Sequence, residues 1–182
     1  MWPGIIAEAF QLALPDGRHD ESRFYGPYNL LLNHMFPIDE GYMIVPRYKR
    51  REHSRSIDFE VIFIVSHHEH PIFFVGAKPS GHIDNILPRR SADEQMRKRF
   101  LDLLGRLEVP ILYGVSALGS KVCYYTYDEG SRRVSPKVIK NEQKLVIDTA
   151  PADRWSLDIM TPDRGKKLRE VLNHVKAVCA QL

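Results

Sequence analysis

The chain reads as an α/β fold in a single domain covering residues 1–182, with a mixed central sheet and helices on its faces. Three observations predict it. Apolar runs rich in Ile, Val and Phe, at Ile57 to Ser66 and Pro71 to Lys78, have the length and bounds of paired strands. Stretches with apolar residues spaced three and four apart flank them, as amphipathic helices require. A chain of 182 residues with no repeats and no convincing linker suits one core.

Element by element, Ile5 to Leu14 predicts a helix ended by Pro15-Asp-Gly17. Tyr25 to Phe36 predicts another, with Pro27 in the first turn, where a missing N–H costs little, and Pro37 after the end. Tyr42 to Val45 reads as a short strand, and Arg47 to Arg55 as a loop or an extension of it. The two apolar runs follow as an antiparallel hairpin around residues 67–70. Ser91 with Glu94 makes a capping box, predicting a helix from Ser91 to about Leu107 with Met96, Phe100, Leu103, Leu104 and Leu107 inward. Ile111 to Ser116 and Lys121 to Asp128 read as a second hairpin, Lys144 to Ile147 as a further strand, and Asp163 to Gln181 as a closing amphipathic helix.

Composition limits the function classes. No apolar run reaches the roughly 18 residues of a membrane span. The first residues, Met1 to Phe10, lack a basic leader and meet Glu8 at once, which predicts no secretory signal and an intracellular location, in cytoplasm or nucleus. Cys123 and Cys179 have no metal-type spacing and read as thiols in a reducing compartment. The net charge of +3 is mild, but basic residues cluster at Arg47 to Arg51, Arg89-Arg90, Arg97 to Arg99, Arg132-Arg133 and Lys166-Lys167. Such clusters fit either phosphate contacts or solvated faces.

Strand alternation places Gly76 and Lys78 on one face of the second strand, and Asp58 and Glu60 on one face of the first. If the strands pair around 67–70, Asp58 and Lys78 meet at one rim of the sheet. The His67-His68-Glu69-His70 connector is a weak zinc candidate, because alternation and a tight turn scatter its side chains.

The segments Ser56-Ile-Asp-Phe-Glu60, Pro71-Ile-Phe-Phe-Val-Gly-Ala-Lys-Pro79 and Ser91-Ala-Asp-Glu-Gln-Met-Arg-Lys-Arg-Phe100, in that order, resemble the PD-(D/E)XK nuclease superfamily, and in particular its members in fungi. The resemblance covers about residues 4–128. It implies a restriction-endonuclease-like α-β-β-β-α-β core, here with an added C-terminal helix, and phosphodiester hydrolysis assisted by Mg²⁺ or Mn²⁺. Carried over by position, Asp58 is the metal ligand and Lys78 the catalytic amine, with Glu8 matching the acid many members place on the first helix. The acidic position two before the Lys is Gly76, which has no ligand to offer, and Glu60 is the candidate substitute. Gln95 matches a helix residue that meets nucleic acid or the site; four residues on, where some members carry Tyr, this chain has Arg99. Arg89, Arg90, Lys49 and Arg50 are the further candidates for contacting DNA or RNA. The implied partner is nucleic acid, with a homodimer compatible and no membrane partner. Two function classes stay open: a metal-dependent nuclease, intact or impaired, and a non-catalytic domain of the same fold binding nucleic acid or protein.

Overall fold

A computed structural model describes residues 2–53, 56–139 and 150–180, with the side chains of 48–61 outside the description. Among the described residues the architecture is mixed α/β. Helices α1 (Gly4–Ala13) and α2 (Tyr25–Met35) precede an antiparallel meander of β1 (Tyr42–His53), β2 (Ser56–His67) and β3 (His70–Lys78). Helix α3 (Ile86–Leu103) then crosses over to β4 (Ile111–Leu118), which lies parallel to β3. Strand β5 (Lys121–Asp128) returns antiparallel, and its far edge pairs with the short β6 (Arg133–Ser135) and β7 (Leu157–Asp158). Helix α4 (Pro162–Cys179) closes the chain. The sheet order is β1-β2-β3-β4-β5-β6, with β7 beside β5. No helix among the described residues is long and apolar enough to cross a membrane.

The sheet sorts its side chains between two faces, because paired residues point the same way. Phe74, Gly76, Gly114 and Ser116 share the face covered by α3, where Phe74 meets Phe100 edge-on at 4.9 Å. The opposite face carries Phe63, Phe73 and Tyr113. Tyr25 and Phe36, from α2 and its C-terminus, pack on the first two, and His174 of α4 on the third. Helix α1 lies outside α2, with Phe10 edge-on to Tyr28 at 5.1 Å. The result is one contiguous apolar core.

The middle of α3 anchors the far half of the molecule through Asp93, which is fully buried. Its carboxylate accepts from Arg97 Nε at 2.9 Å, Arg154 Nη1 at 3.1 Å, the Tyr125 hydroxyl at 2.9 Å and the Ile139 backbone N–H at 3.2 Å. A buried carboxylate is tolerated because its lone pairs are occupied, two of the donors being cationic.

Several boundaries differ from the sequence expectation. Of the two readings for the segment after Val45, loop or strand extension, the structure has the extension: β1 continues to His53, its register with β2 running to His53↔Ser56. The connector of β2 and β3 narrows to a two-residue turn, with His67 paired to His70 and both His68 (φ 47°) and Glu69 (φ 70°) left-handed. Helix α3 starts at Ile86, not Ser91. Pro88 sits in its first turn, where no N–H is needed, so Ser91 is interior and its Oγ accepts from Gln95 Nε2 at 3.1 Å instead of capping. The helix also ends at Leu103, followed by a 3-10 turn at Leu104–Arg106. The strand expected over Lys144 to Ile147 lies outside the described residues.

Candidate functional site

Strand β3 ends at Lys78, immediately before Pro79, so the long side chain leaves the sheet at its rim. It is nearly buried, at 9% exposure. Its ammonium donates to Glu21 Oε2 at 3.0 Å, and the other oxygen of that carboxylate accepts from the Tyr25 hydroxyl at 2.7 Å. Glu21 is held there by the 3-10 turn Glu21–Phe24, which Asp20 caps by accepting from the Ser22 N–H at 2.9 Å. His82, in the 3-10 turn Ser80–Asp84 that follows β3, completes the group. Burial, and secondly the positive charge of Lys78, hold its imidazole below the ordinary value of 6.5.

Beside Lys78 a narrow cleft opens between β2, β3, β4 and α3, lined by Ile62, Gly76, Lys78, Ala92, Gln95, Met96 and Ser116. The backbone at Gly76 is not left-handed, and a Cβ built there would sit 3.7 Å from Met96 Sδ, an ordinary contact. The fold therefore does not require glycine at this position; a Cβ has room. Ser116 is already engaged, accepting from the Trp155 indole N–H at 3.1 Å.

The remaining candidates are placed as follows. Gly76 and Lys78 share the cleft with Gln95. The side chains of Asp58, Glu60, Lys49 and Arg50 lie outside the described residues. Their backbone register pairs Lys49 with Glu60 and Arg51 with Asp58. The ladder of β2 with β3 has its terminal pair at Ile62↔Gly76, so Glu60 and Asp58 fall beyond it. Glu8 is exposed on α1, and the carboxylate that meets Lys78 is that of Glu21. Arg99 pairs with Asp102 at 3.3 Å. Arg90 is half-buried on α3. Arg89 is buried and turned inward, its Nε donating to the Ala150 carbonyl at 2.5 Å and its Nη1 to the Ile83 carbonyl. Of the turn histidines, His70 lies 3.3 Å from Glu108, while the His67 and His68 rings meet edge-on with centroids 4.2 Å apart.

Magnesium asks for hard oxygen ligands, usually one or two carboxylates with water. The described residues do not fit that demand at the cleft. Gly76 contributes no side chain, and both oxygens of Glu21 are committed to Lys78 and Tyr25. No group of three or more His, Cys, Asp or Glu able to hold a metal occurs among the described residues. What the arrangement offers is a fixed ammonium, a carboxylate that neutralises it, and an imidazole whose proton affinity burial and the Lys78 charge lower.

Glu21 escaped the sequence reading. It sits 57 positions from its partner in a polar loop without periodicity, and the only local signal was the Asp20-Glu21-Ser22 cap ahead of the aromatic α2. Compared with known proteins, the chain matches no family model, no curated protein and no solved structure.

Proposed function

We propose that this chain is a nucleic-acid-binding protein on a PD-(D/E)XK-type nuclease fold whose phosphodiesterase centre is impaired. The observation that carries the reading is the neighbourhood of Lys78. The amine expected to support phosphate chemistry is present at the rim of β3, but the acidic position two residues earlier is Gly76 and the ammonium is neutralised by Glu21. The order of elements supports the kinship: a helix, the antiparallel β1-β2-β3 meander, a helical crossover and β4 parallel to β3. The net charge of +3 and the exposed Lys98, Arg132, Arg133 and Lys137 support an anionic polymer as partner, since phosphate neutralisation supplies most non-specific affinity.

The test is incubation of the purified chain with single- and double-stranded DNA and RNA, with Mg²⁺ or Mn²⁺ and again with EDTA. The expected result is salt-sensitive retardation without cleavage by the native chain, and EDTA-sensitive cleavage by Gly76→Glu that disappears when Asp58→Ala is added. Metal-dependent cleavage by the native chain, abolished by Asp58→Ala, would replace this reading with an active Mg²⁺-dependent phosphodiesterase. No retention of any nucleic acid would leave protein binding as the role of the fold.

A further inference from the structure

Strand β6 ends the sheet order, and its last residue is an exposed serine set among cations. Arg132 and Arg133 stand three and two positions before Ser135, Pro136 follows it, and Lys137 comes next. The three cations are exposed as well, and Pro136 is half-buried. We propose that Ser135 is a phosphorylation site for a proline-directed protein kinase, and that its phosphate releases the chain from nucleic acid. The release rests on the nucleic-acid reading above; the modification site does not.

A kinase takes its substrate as an extended segment, and β6 is extended already. It pairs with β5 through only three residues, Thr126↔Ser135, Tyr127↔Val134 and Asp128↔Arg133, and no strand lies beyond it among the described residues. Between residues 131 and 138 only Val134 and Pro136 are half-buried, the rest being exposed, so lifting the segment into a groove uncovers little apolar surface. Besides the ladder, the movement gives up one hydrogen bond, from Arg97 Nη2 to the Pro136 carbonyl at 2.6 Å. Pro136 has no N–H, which suits a groove that packs a ring after the serine rather than one that hydrogen-bonds there. The two guanidinium groups upstream suit a carboxylate-lined groove, the charge pattern by which kinases choose basic substrates. The sequence holds one other Ser/Thr-Pro pair, Thr161-Pro162. There Asp158 stands three positions ahead, and the Thr161 hydroxyl already donates to the Asp158 carbonyl at 2.9 Å, so Ser135 is the acceptor that charge and access select.

The transfer forms a bond from Ser135 Oγ to the γ-phosphorus of Mg²⁺-bound ATP; ADP leaves, and the hydroxyl proton passes to the base of the kinase. The phosphoserine carries a charge of about −1.5 to −2 at pH 7. Arg132, Arg133 and Lys137 lie within three residues of it, hence within about 10 Å along an extended chain, which is about one Debye length at 0.1 M salt. The new charge therefore offsets most of the positive charge of these three side chains. They are among the cations that support a polyanionic partner. Because each phosphate contact adds affinity through counterion release, losing two of them weakens binding by about tenfold or more at physiological salt.

The experiment incubates the full chain with Mg²⁺, ATP and a cyclin-dependent kinase as the proline-directed probe, and maps the phosphate by mass spectrometry. One phosphate per chain on Ser135 is expected, with none at that position in Ser135→Ala, whose circular dichroism should match the native chain. Transfer to the double variant Arg132→Gln, Arg133→Gln should be about tenfold slower. In gel retardation the phosphorylated chain should bind DNA or RNA about tenfold more weakly than the unmodified chain, while kinase-treated Ser135→Ala keeps its affinity. No phosphate on Ser135, or transfer to Thr161 in its place, would overturn the site. Undiminished retention after complete phosphorylation would overturn the release. If the unmodified chain retains no nucleic acid, the functional reading and the release fail together, while phosphate on Ser135 upholds the site.

Discussion

The ammonium of Lys78 donates to Glu21 at 3.0 Å in a pocket where the side chains are only 11% and 18% exposed. Partly buried ion pairs of this kind are costly to break one-sidedly, because the orphaned charge keeps its desolvation penalty. Glu21→Gln is therefore expected to destabilise the fold by about 2 kcal/mol. Lys78→Met, added to that variant, should return part of the loss. Urea unfolding of the two single variants and the double variant measures the coupling; strictly additive losses would show that the pair carries no energy of its own.

Two glycines on the face under α3 should respond oppositely to the same change. At Gly76 a Cβ meets only Met96 Sδ at 3.7 Å, whereas at Gly114 it would sit 2.6 Å from Phe74 Cζ and 2.8 Å from Met96 Cε. Gly76→Ala should be neutral or stabilise by about 0.5 kcal/mol through the unfolded chain. Gly114→Ala should cost about 1–3 kcal/mol by overpacking. Chemical denaturation midpoints decide this, and a loss at Gly76 as large as that at Gly114 would contradict the cleft geometry.

Acid should weaken the fold through His82. Burial and the Lys78 charge lower its imidazole below 6.5, with Glu21 opposing to a smaller degree. A group with a depressed native value takes up its proton more readily when unfolded, so its contribution to stability is present above 6.5 and is lost as pH falls through the lower native value. His82→Gln should flatten the fall in stability between about pH 7 and about pH 5. A remainder will persist from His67, which burial and His68 shift in the same direction. An unchanged slope in His82→Gln would remove this residue from the account.

Sequence reading found the elements whose period is local. The alternation in β2 and β3 and the stripe Met96, Phe100, Leu103 are patterns that any core-facing strand or helix must repeat. It lost features fixed by distant partners. The buried Arg89 looks like half of a solvated Arg-Arg pair until the Ala150 carbonyl, 61 positions away, is placed against it. Ser91 mimicked a cap because the pattern Ser-x-x-Glu is short, while the helix had already begun at Ile86 with Pro88 in its first turn. The turn at His68 and Glu69 lacks the Gly or Asn that usually announces left-handed residues, so the hairpin, rather than the turn, dictates its backbone.

Helix α3 also clasps both ends of one chain segment: Asp93 holds the Ile139 N–H, and Arg89, one turn earlier, holds the Ala150 carbonyl. Both attachments hang on one helix, so a substitution that displaces α3 is expected to release them together rather than one at a time.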